Sequence, residues 1–350
     1  MKIGGREVGP GHPCWIVAES GLNQNGDLAT ALEMVHAAKA AGADAFKVQC
    51  FSADCQAVVG AASWQGEDQH AMFKRYEPPR EAIQAIADEC RHVGLIFFGT
   101  PDCLEHARWL VDAGAPCLKV GSDDLTHTPL IRDLAGFGLP LILSTGMADP
   151  SVDVERALTI VADVVRARGD HWPDFVMLLH CVALYPTPTE RANLRRILND
   201  DGEIPRHAVG YSDHTDGAAA APLAVALGAC LIEKHFTLGR SMPGPDHTFS
   251  ADPVIFAEMV RRIREAEMLL GTGDSELSDA EKAMRPIARR SIVSLIDQPA
   301  GTLVHPSNLA YKRPGTGLMP HEQDRIIGKR LLRDVRKDEQ ILMGDVQGPE

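Results

Sequence analysis

Several features that would mark a broad class of protein are missing from this sequence. No apolar run approaches the ~20 residues of a membrane-spanning helix. Apolar residues at 45% and charged residues at 24% sit near globular averages, so neither a membrane span nor disorder is expected. The opening MKIGGREVGPGHP carries no apolar stretch after its lysine, so no secretory signal is expected and a cytoplasmic location is. The eight cysteines, at 14, 50, 55, 90, 103, 117, 181 and 230, contain no C-x-x-C pair, so neither a zinc knuckle nor a redox motif is spelled. They are read as thiols, several of them packed as small hydrophobes. Basic charge is also scarce: 35 Lys and Arg against 48 Asp and Glu leave a formal net charge of -13. That balance opposes nucleic-acid binding, which needs a basic surface to displace counterions. An anionic ligand must therefore be drawn by a local positive cluster working against the global field.

What is present is a rhythm. Short apolar runs at 15–19, 45–49, 95–99, 117–120, 140–144, 175–180, 208–212 and 230–235 alternate with helical patterns. Nearly continuous apolar strands fit a parallel sheet buried on both faces. Helices at 27–41, closing on Gly42, and 150–167, closing on Gly169, show recognisable ends. Eight βα units point to an α/β chain closed into a (β/α)8 TIM barrel. An open doubly wound sheet usually carries a Gly-rich dinucleotide turn after its first strand, and ESGLNQNGD is not one. The barrel domain is expected over residues 1–272, a polar linker over 273–287 and a small second domain over 288–350. In that second domain a strand near 291–295 and a helix near 322–326 are expected. Its core should be thin, needing support from the barrel or a partner chain.

Barrel enzymes place catalytic groups at strand C-termini. The polar residues there are Glu19; Lys47 and Gln49; Thr100; Lys119 and Ser122; Ser144 and Thr145; His180; Ser212, Asp213 and His214; and Glu233, Lys234 and His235. Two lysines in the mouth of an acidic protein call for an anion, since Lys is seldom buried without a partner. Lys47 and Lys119, with the hydroxyls of Ser122, Ser144 and Ser212, suit a phosphate or carboxylate. No Walker-type loop is present, so this is a side-chain cradle, helped by backbone amides of the 144–146 turn. His214 and His235 end neighbouring strands, with Glu19, Glu233 and Asp246 nearby. Together they suggest an open divalent site that favours Mn, Co, Fe or Zn over Ca. Such an ion would polarise a carbonyl or activate a water that Glu19 positions or deprotonates.

At these residues the chain resembles the sialic acid synthase family. The resemblance spans nearly the whole chain and rests on VAESGLNQNG, FKVQ, LKVGS, LSTGM, HCVALYPTP, GYSDHT, EKHFTL and PGPDH. The tail resembles the family's antifreeze-protein-like (SAF) domain through ARRSIV, YKRPGTG and IIGKRLLRDVRKDEQI. The resemblance implies a C–C bond-forming synthase that condenses phosphoenolpyruvate with an N-acetylmannosamine-type aldose. It implies that His214 and His235 bind a divalent metal, Mn before Co, Mg or Zn, and that Glu19 is the catalytic carboxylate. Lys47, Lys119, Ser122, Ser144 and Ser212 would hold phosphoenolpyruvate. Gln49, Tyr185, Asp246 and Arg313 would meet the sugar, with Arg313 supplied by the partner in a domain-swapped homodimer.

Four positions depart from the family's pattern: Gln24 stands for His, Asp102 for Phe, Asp124 for Glu and Ala183 for Asn. They bear on the acceptor more than on the reaction, and open a second expectation, a diacetamido-hexose leading to a legionaminic-type acid. PGPDH favours the sialic and legionaminic branch over the pseudaminic one. Two other classes compete: a metal-dependent barrel hydrolase or isomerase, and a sugar-binding protein that has lost catalysis. Retention of Glu19, both histidines and both lysines argues against the latter.

Overall fold

The computed structural model describes residues 1–61, 67–198 and 209–348. They form two compact units, Met1–Gly271 and Thr272–Glu350. No helix among the described residues is long and apolar enough to cross a membrane.

The first unit is a closed barrel of eight parallel strands. They are β1 (Trp15–Glu19), β2 (Ala45–Cys50), β3 (Ile96–Pro101) and β4 (Leu118–Val120), then β5 (Leu141–Ser144), β6 (Val176–Cys181), β7 (Val209–Asp213) and β8 (Leu231–His235). β8 pairs with β1 and β7, which closes the sheet. Each expected apolar run lies on one of these strands, with ends displaced by a residue or two. The run expected to start at 208 does so outside the described residues.

Close packing dictates some residue choices. A Cβ at Gly210 on β7 would lie 2.5 Å from Leu179 Cδ2 and 2.7 Å from the Leu231 carbonyl oxygen, so only glycine fits between β6 and β8. Trp15 stacks on Phe98 with ring centres 5.4 Å apart, filling the interior that closure creates.

The helices follow their caps. The Asp27 side chain accepts from the Thr30 amide, and the helix runs Leu28–Ala40 before Gly42 turns the chain at φ 91°. The helix expected over 150–167 opens as a π-turn, Pro150–Val154, and continues as α over Glu155–Ala167.

The second unit has its own small core of buried apolar residues, including Ile292, Leu309, Ile326 and Ile341. Ser291–Ser294 pairs antiparallel with Leu309–Lys312. Two expectations need correction. The stretch read as a polar linker contains an α-helix, Asp279–Ala288. Ser278 Oγ accepts from the Glu281 amide while Glu281 accepts from the Ser278 amide, a capping box that makes a polar, turn-like segment helical. The helix expected near 322–326 is a 3₁₀ helix, Pro320–Arg325, short and opened by proline at its first turn.

Candidate active site

Register brings the polar strand ends into one ring. Glu19 lies opposite His235 on one side and Lys47 on the other, and Glu233 lies opposite Ser212. Alternation along a strand then sorts neighbours to opposite faces. Ser212, His214, Glu233 and His235 line the cavity at the mouth, while Asp213 and Lys234 do not. Those two face each other behind the wall. Lys234 Nζ donates to Asp213 Oδ2 at 2.8 Å and to the Thr215 carbonyl at 2.7 Å, so this pair, read among the mouth residues, is structural. His180 likewise turns away: its Nε2 bonds the Ala192 carbonyl at 2.8 Å and its ring stacks on Tyr211.

The mouth cavity has a volume of about 900 Å³, room for two small polar substrates side by side. At its floor sit four buried charges. Lys47 Nζ lies 2.8 Å from Glu19 Oε2 and 3.2 Å from Glu233 Oε1, and donates to Thr100 Oγ1 at 3.1 Å. Its partners are therefore two carboxylates of the chain itself, where the sequence reading supplied an external anion. Lys119 is the freer cation. Its Nζ donates to Ser144 Oγ at 2.7 Å and the Val120 carbonyl at 3.0 Å, and stands 3.9 Å from Glu233.

Burial pushes the two carboxyls up equally in kind, but their neighbours split them. For Glu19, burial exceeds the pull of Lys47, and its pKa is raised. For Glu233, burial is outweighed by Lys119 and Lys47, and it stays ionised below the usual range. Two carboxyls driven apart in this way divide the work: Glu19 can carry a proton and Glu233 a fixed charge. Burial also lowers Lys119, beyond what Glu233 restores.

The histidines are built as an open pair. His214 Nδ1 donates to the Val182 carbonyl at 2.9 Å, which leaves Nε2 as the lone-pair nitrogen. Burial holds His235 well below the usual imidazole range, hence neutral. Its buried Nδ1 has no hydrogen-bond partner and lies 3.7 Å from Asp246 Oδ2. The two ring centres are 5.4 Å apart. With metal–nitrogen bonds of about 2.1 Å, two imidazoles sharing one ion have centres ~4.6–5.3 Å apart. The ring spacing matches that of such a pair to within a few tenths of an ångström, and an ion held there would keep its other positions for water or substrate.

The remaining expected residues Gln49, Ser122, Tyr185 and Asp246 also line this cavity. Ser122 Oγ accepts from the Gly146 amide at 3.1 Å, so the 144–146 turn is fastened to the wall. Tyr185 packs on His214 at 4.2 Å, and Asp246 Oδ2 accepts from the Leu22 amide at 3.0 Å. Arg313 belongs to the second unit, where it is exposed and followed by a cis peptide to Pro314. Of the departures, Asp124 and Ala183 line the cavity, and burial with Asp123 nearby pushes Asp124 up to about 6. Gln24 is buried with both amide atoms unpartnered, and Asp102 bonds His106 outside the cavity lining. Sequence reasoning missed Gly21. At φ 50°, a Cβ there would fall 2.5 Å from Asp246 Oδ2 and 2.8 Å from His235 Nδ1. Its signal was the glycine directly after Glu19-Ser20.

The NeuB family matches residues 34–275 and the SAF domain matches residues 289–347. The chain is 37% identical to the N,N'-diacetyllegionaminic acid synthase of Legionella pneumophila, over 99% of this chain and 98% of that one. It is 32% identical to the human N-acetylneuraminate-9-phosphate synthase, over 97% of this chain and 94% of that one. Among solved structures it is similar to the N-acetylneuraminic acid (sialic acid) synthetase of Leptospira borgpetersenii in complex with citrate. The TM-score is 0.72 at 31% identity, covering 81% of this chain and 94% of that one.

Proposed function

The chain belongs to the NeuB family of sialic-acid-type synthases, and we propose that it joins phosphoenolpyruvate to an N-acetylmannosamine-type aldose. The products would be a nine-carbon 2-keto-3-deoxy acid and phosphate. The observation that carries this reading is the convergence in one cavity of a lysine-and-hydroxyl cradle, a protonatable carboxyl and an open pair of imidazoles.

In this reading Lys119, Ser144, Ser122 and Ser212 bind the phosphate and carboxylate of phosphoenolpyruvate, while Lys47 holds Glu19 and Glu233 in place beside them. His214 and His235 would hold a divalent ion, Mn before Co, Mg or Zn, which when bound supplies Lewis-acid polarisation of the sugar carbonyl. Fixing phosphoenolpyruvate C3 against the open-chain aldehyde carbon gives the orientation advantage from which enzymes draw large rate gains. Glu19, ionised as a base with its affinity for a proton raised by burial, takes the proton of the water that adds at C2. Phosphate then leaves with C–O cleavage. Gln49, Tyr185 and Asp246 contact the sugar.

Purified protein supplied with the metal, phosphoenolpyruvate and a panel of aldoses should release phosphate only with an acceptor present and only without chelator. Phosphoenolpyruvate-independent turnover of a sugar would favour a barrel hydrolase or isomerase instead, and sugar binding without turnover a retired enzyme. A diacetamido-hexose is the second acceptor, favoured by Ala183 on the cavity wall and by the Legionella relative's similarity. Equal turnover of N-acetylmannosamine and its 2,4-diacetamido-6-deoxy analogue would remove the case for altered specificity. Gly21→Ala should weaken divalent-ion binding by roughly 10- to 100-fold, because the new methyl displaces Asp246 and His235. Titration of Mn²⁺ into metal-free protein measures it, and unchanged affinity would remove this glycine from the site.

The proposal extends to a domain-swapped homodimer in which Arg313, exposed on its unit, meets the sugar bound by a second copy. No residue of helix Asp279–Ala288 is buried, which leaves Met284 and Ile287 at 53% and 63% exposure for a partner to cover. A reducing cytoplasm suits the eight free thiols.

A further inference from the structure

A second group of metal-binding side chains lies outside the cavity. Cys55, Asp102, Cys103 and His106 each offer one ligand atom, and these atoms all lie within 4.8 Å of one another. None of the four lines the barrel mouth. We propose that they form a closed, four-coordinate site for a zinc-class divalent ion, separate from His214 and His235.

The donor set is the first argument. Two thiols, an imidazole and a carboxylate suit zinc, and exclude the oxygen-seeking Mg and Ca. Geometry is the second. Bonds of about 2.0–2.3 Å place the ligand atoms of a tetrahedral zinc roughly 3.3–3.8 Å apart. Cys103 Sγ and His106 Nδ1 stand at 3.2 Å. Asp102 Oδ1 takes a hydrogen bond from that same Nδ1, closer than two ligands of one ion stand, so an ion would displace this proton and draw the two atoms apart onto itself. Asp102 and His106 are 6% and 4% exposed, so half of the set is built into the fold. Asp102 is held further by the Ser52 amide, which donates to Oδ2 at 3.1 Å. Cys55, exposed on the four-residue helix Ala53–Gln56, is the ligand free to close on the ion. Asp102 is also a residue at which the chain departs from the family's pattern, where an apolar side chain could not ligate.

The site would clip the segment after β2 to the start of the helix after β3. That segment matters to the cavity, because Gln56 lines it. It is tied in turn to helix Gln69–Tyr76, which contributes Met72, Phe73 and Tyr76 to the same wall. Asp54 pairs with His70 at 2.8 Å, and the Ala53 amide donates to Glu77 Oε2 at 3.0 Å. The ion would therefore set one wall of the cavity without touching the reacting atoms.

The test uses full-length protein carrying His214→Ala and His235→Ala, so that the barrel mouth contributes no metal. After chelation and dialysis it is titrated with Zn²⁺, and with Co²⁺ as a spectroscopic probe. The expected result is one ion per chain, a thiolate-to-cobalt charge-transfer band in the near ultraviolet, and a higher Tm with zinc. Adding Cys55→Ser and Cys103→Ser should remove the band and the Tm shift while the circular dichroism stays unchanged. The proposal is overturned if the parent protein shows no thiolate band, or if the band survives the serine substitutions. Should the combined variant fail to fold, the single change Cys103→Ser in the same background decides between these outcomes by the same cobalt band.

Discussion

His235→Ala is expected to lower kcat/KM for phosphoenolpyruvate-dependent condensation by at least ~10³-fold, as losing a Lewis acid worth several kcal/mol requires. Stability should scarcely change. The ring's buried Nδ1 has no hydrogen bond to forfeit, and what is lost is packing against Tyr185 and Phe249 at 5.8 and 5.4 Å between ring centres. The Tm should shift by only about 1–2 °C, the equivalent of roughly 1 kcal/mol in a chain of this size. Steady-state phosphate release and a thermal melt measure both effects. His180 is the internal contrast, ending β6 as His235 ends β8 but bonded to the Ala192 carbonyl outside the cavity lining. Turnover of His235→Ala within tenfold of the parent would dismiss the metal pair.

The fold was legible because hydrophobic pattern and barrel closure act at the same level. Runs such as 15–19 are buried on both faces, and burial on both faces is what a continuous apolar run reports. The helix Asp279–Ala288 was obscured because it follows a polar, turn-rich stretch, carries Pro286 inside it, and starts on one reciprocal pair, Ser278 and Glu281. At the mouth, knowing where strands end gave the ring of polar residues but not their facing. Asp213 and Lys234 neighbour site residues in sequence and yet pair behind them, since alternation reverses direction at each step. Lys47 lines the cavity with partners from within the chain, because two carboxylates from β1 and β8 converge on its ammonium, which a sequence cannot show. The cluster of Cys55, Asp102, Cys103 and His106 was hidden for a related reason: one of its thiols arrives from the separate short helix Ala53–Gln56, and no spacing rule joins them.

That convergence on Lys47 makes its removal a severe structural change. Lys47→Met would leave Glu19 and Glu233, at 1% and 4% exposure, without the cation that lies within 3.2 Å of both. Breaking a buried ion pair from one side costs about 3–5 kcal/mol, because an uncompensated charge remains in a medium that solvates it poorly. Urea unfolding at pH 7.5 should show a loss of that order, together with loss of turnover. The deficit should shrink towards pH 5. Glu19 already has a folded pKa raised by burial, and removing Lys47 takes away the main influence lowering it. A carboxyl with a raised folded pKa leaves stability intact at low pH, where it is protonated in both states, and withdraws it as pH climbs from the unfolded value towards the folded one. Adding Glu19→Gln to Lys47→Met should therefore recover much of the stability at pH 7.5, since the amide carries no charge to bury, yet recover none of the activity. Equal urea midpoints for the single variant and the parent would show that Glu19 and Glu233 are accommodated without Lys47. In that case its position between them would serve the substrate's anion, as the sequence alone suggested.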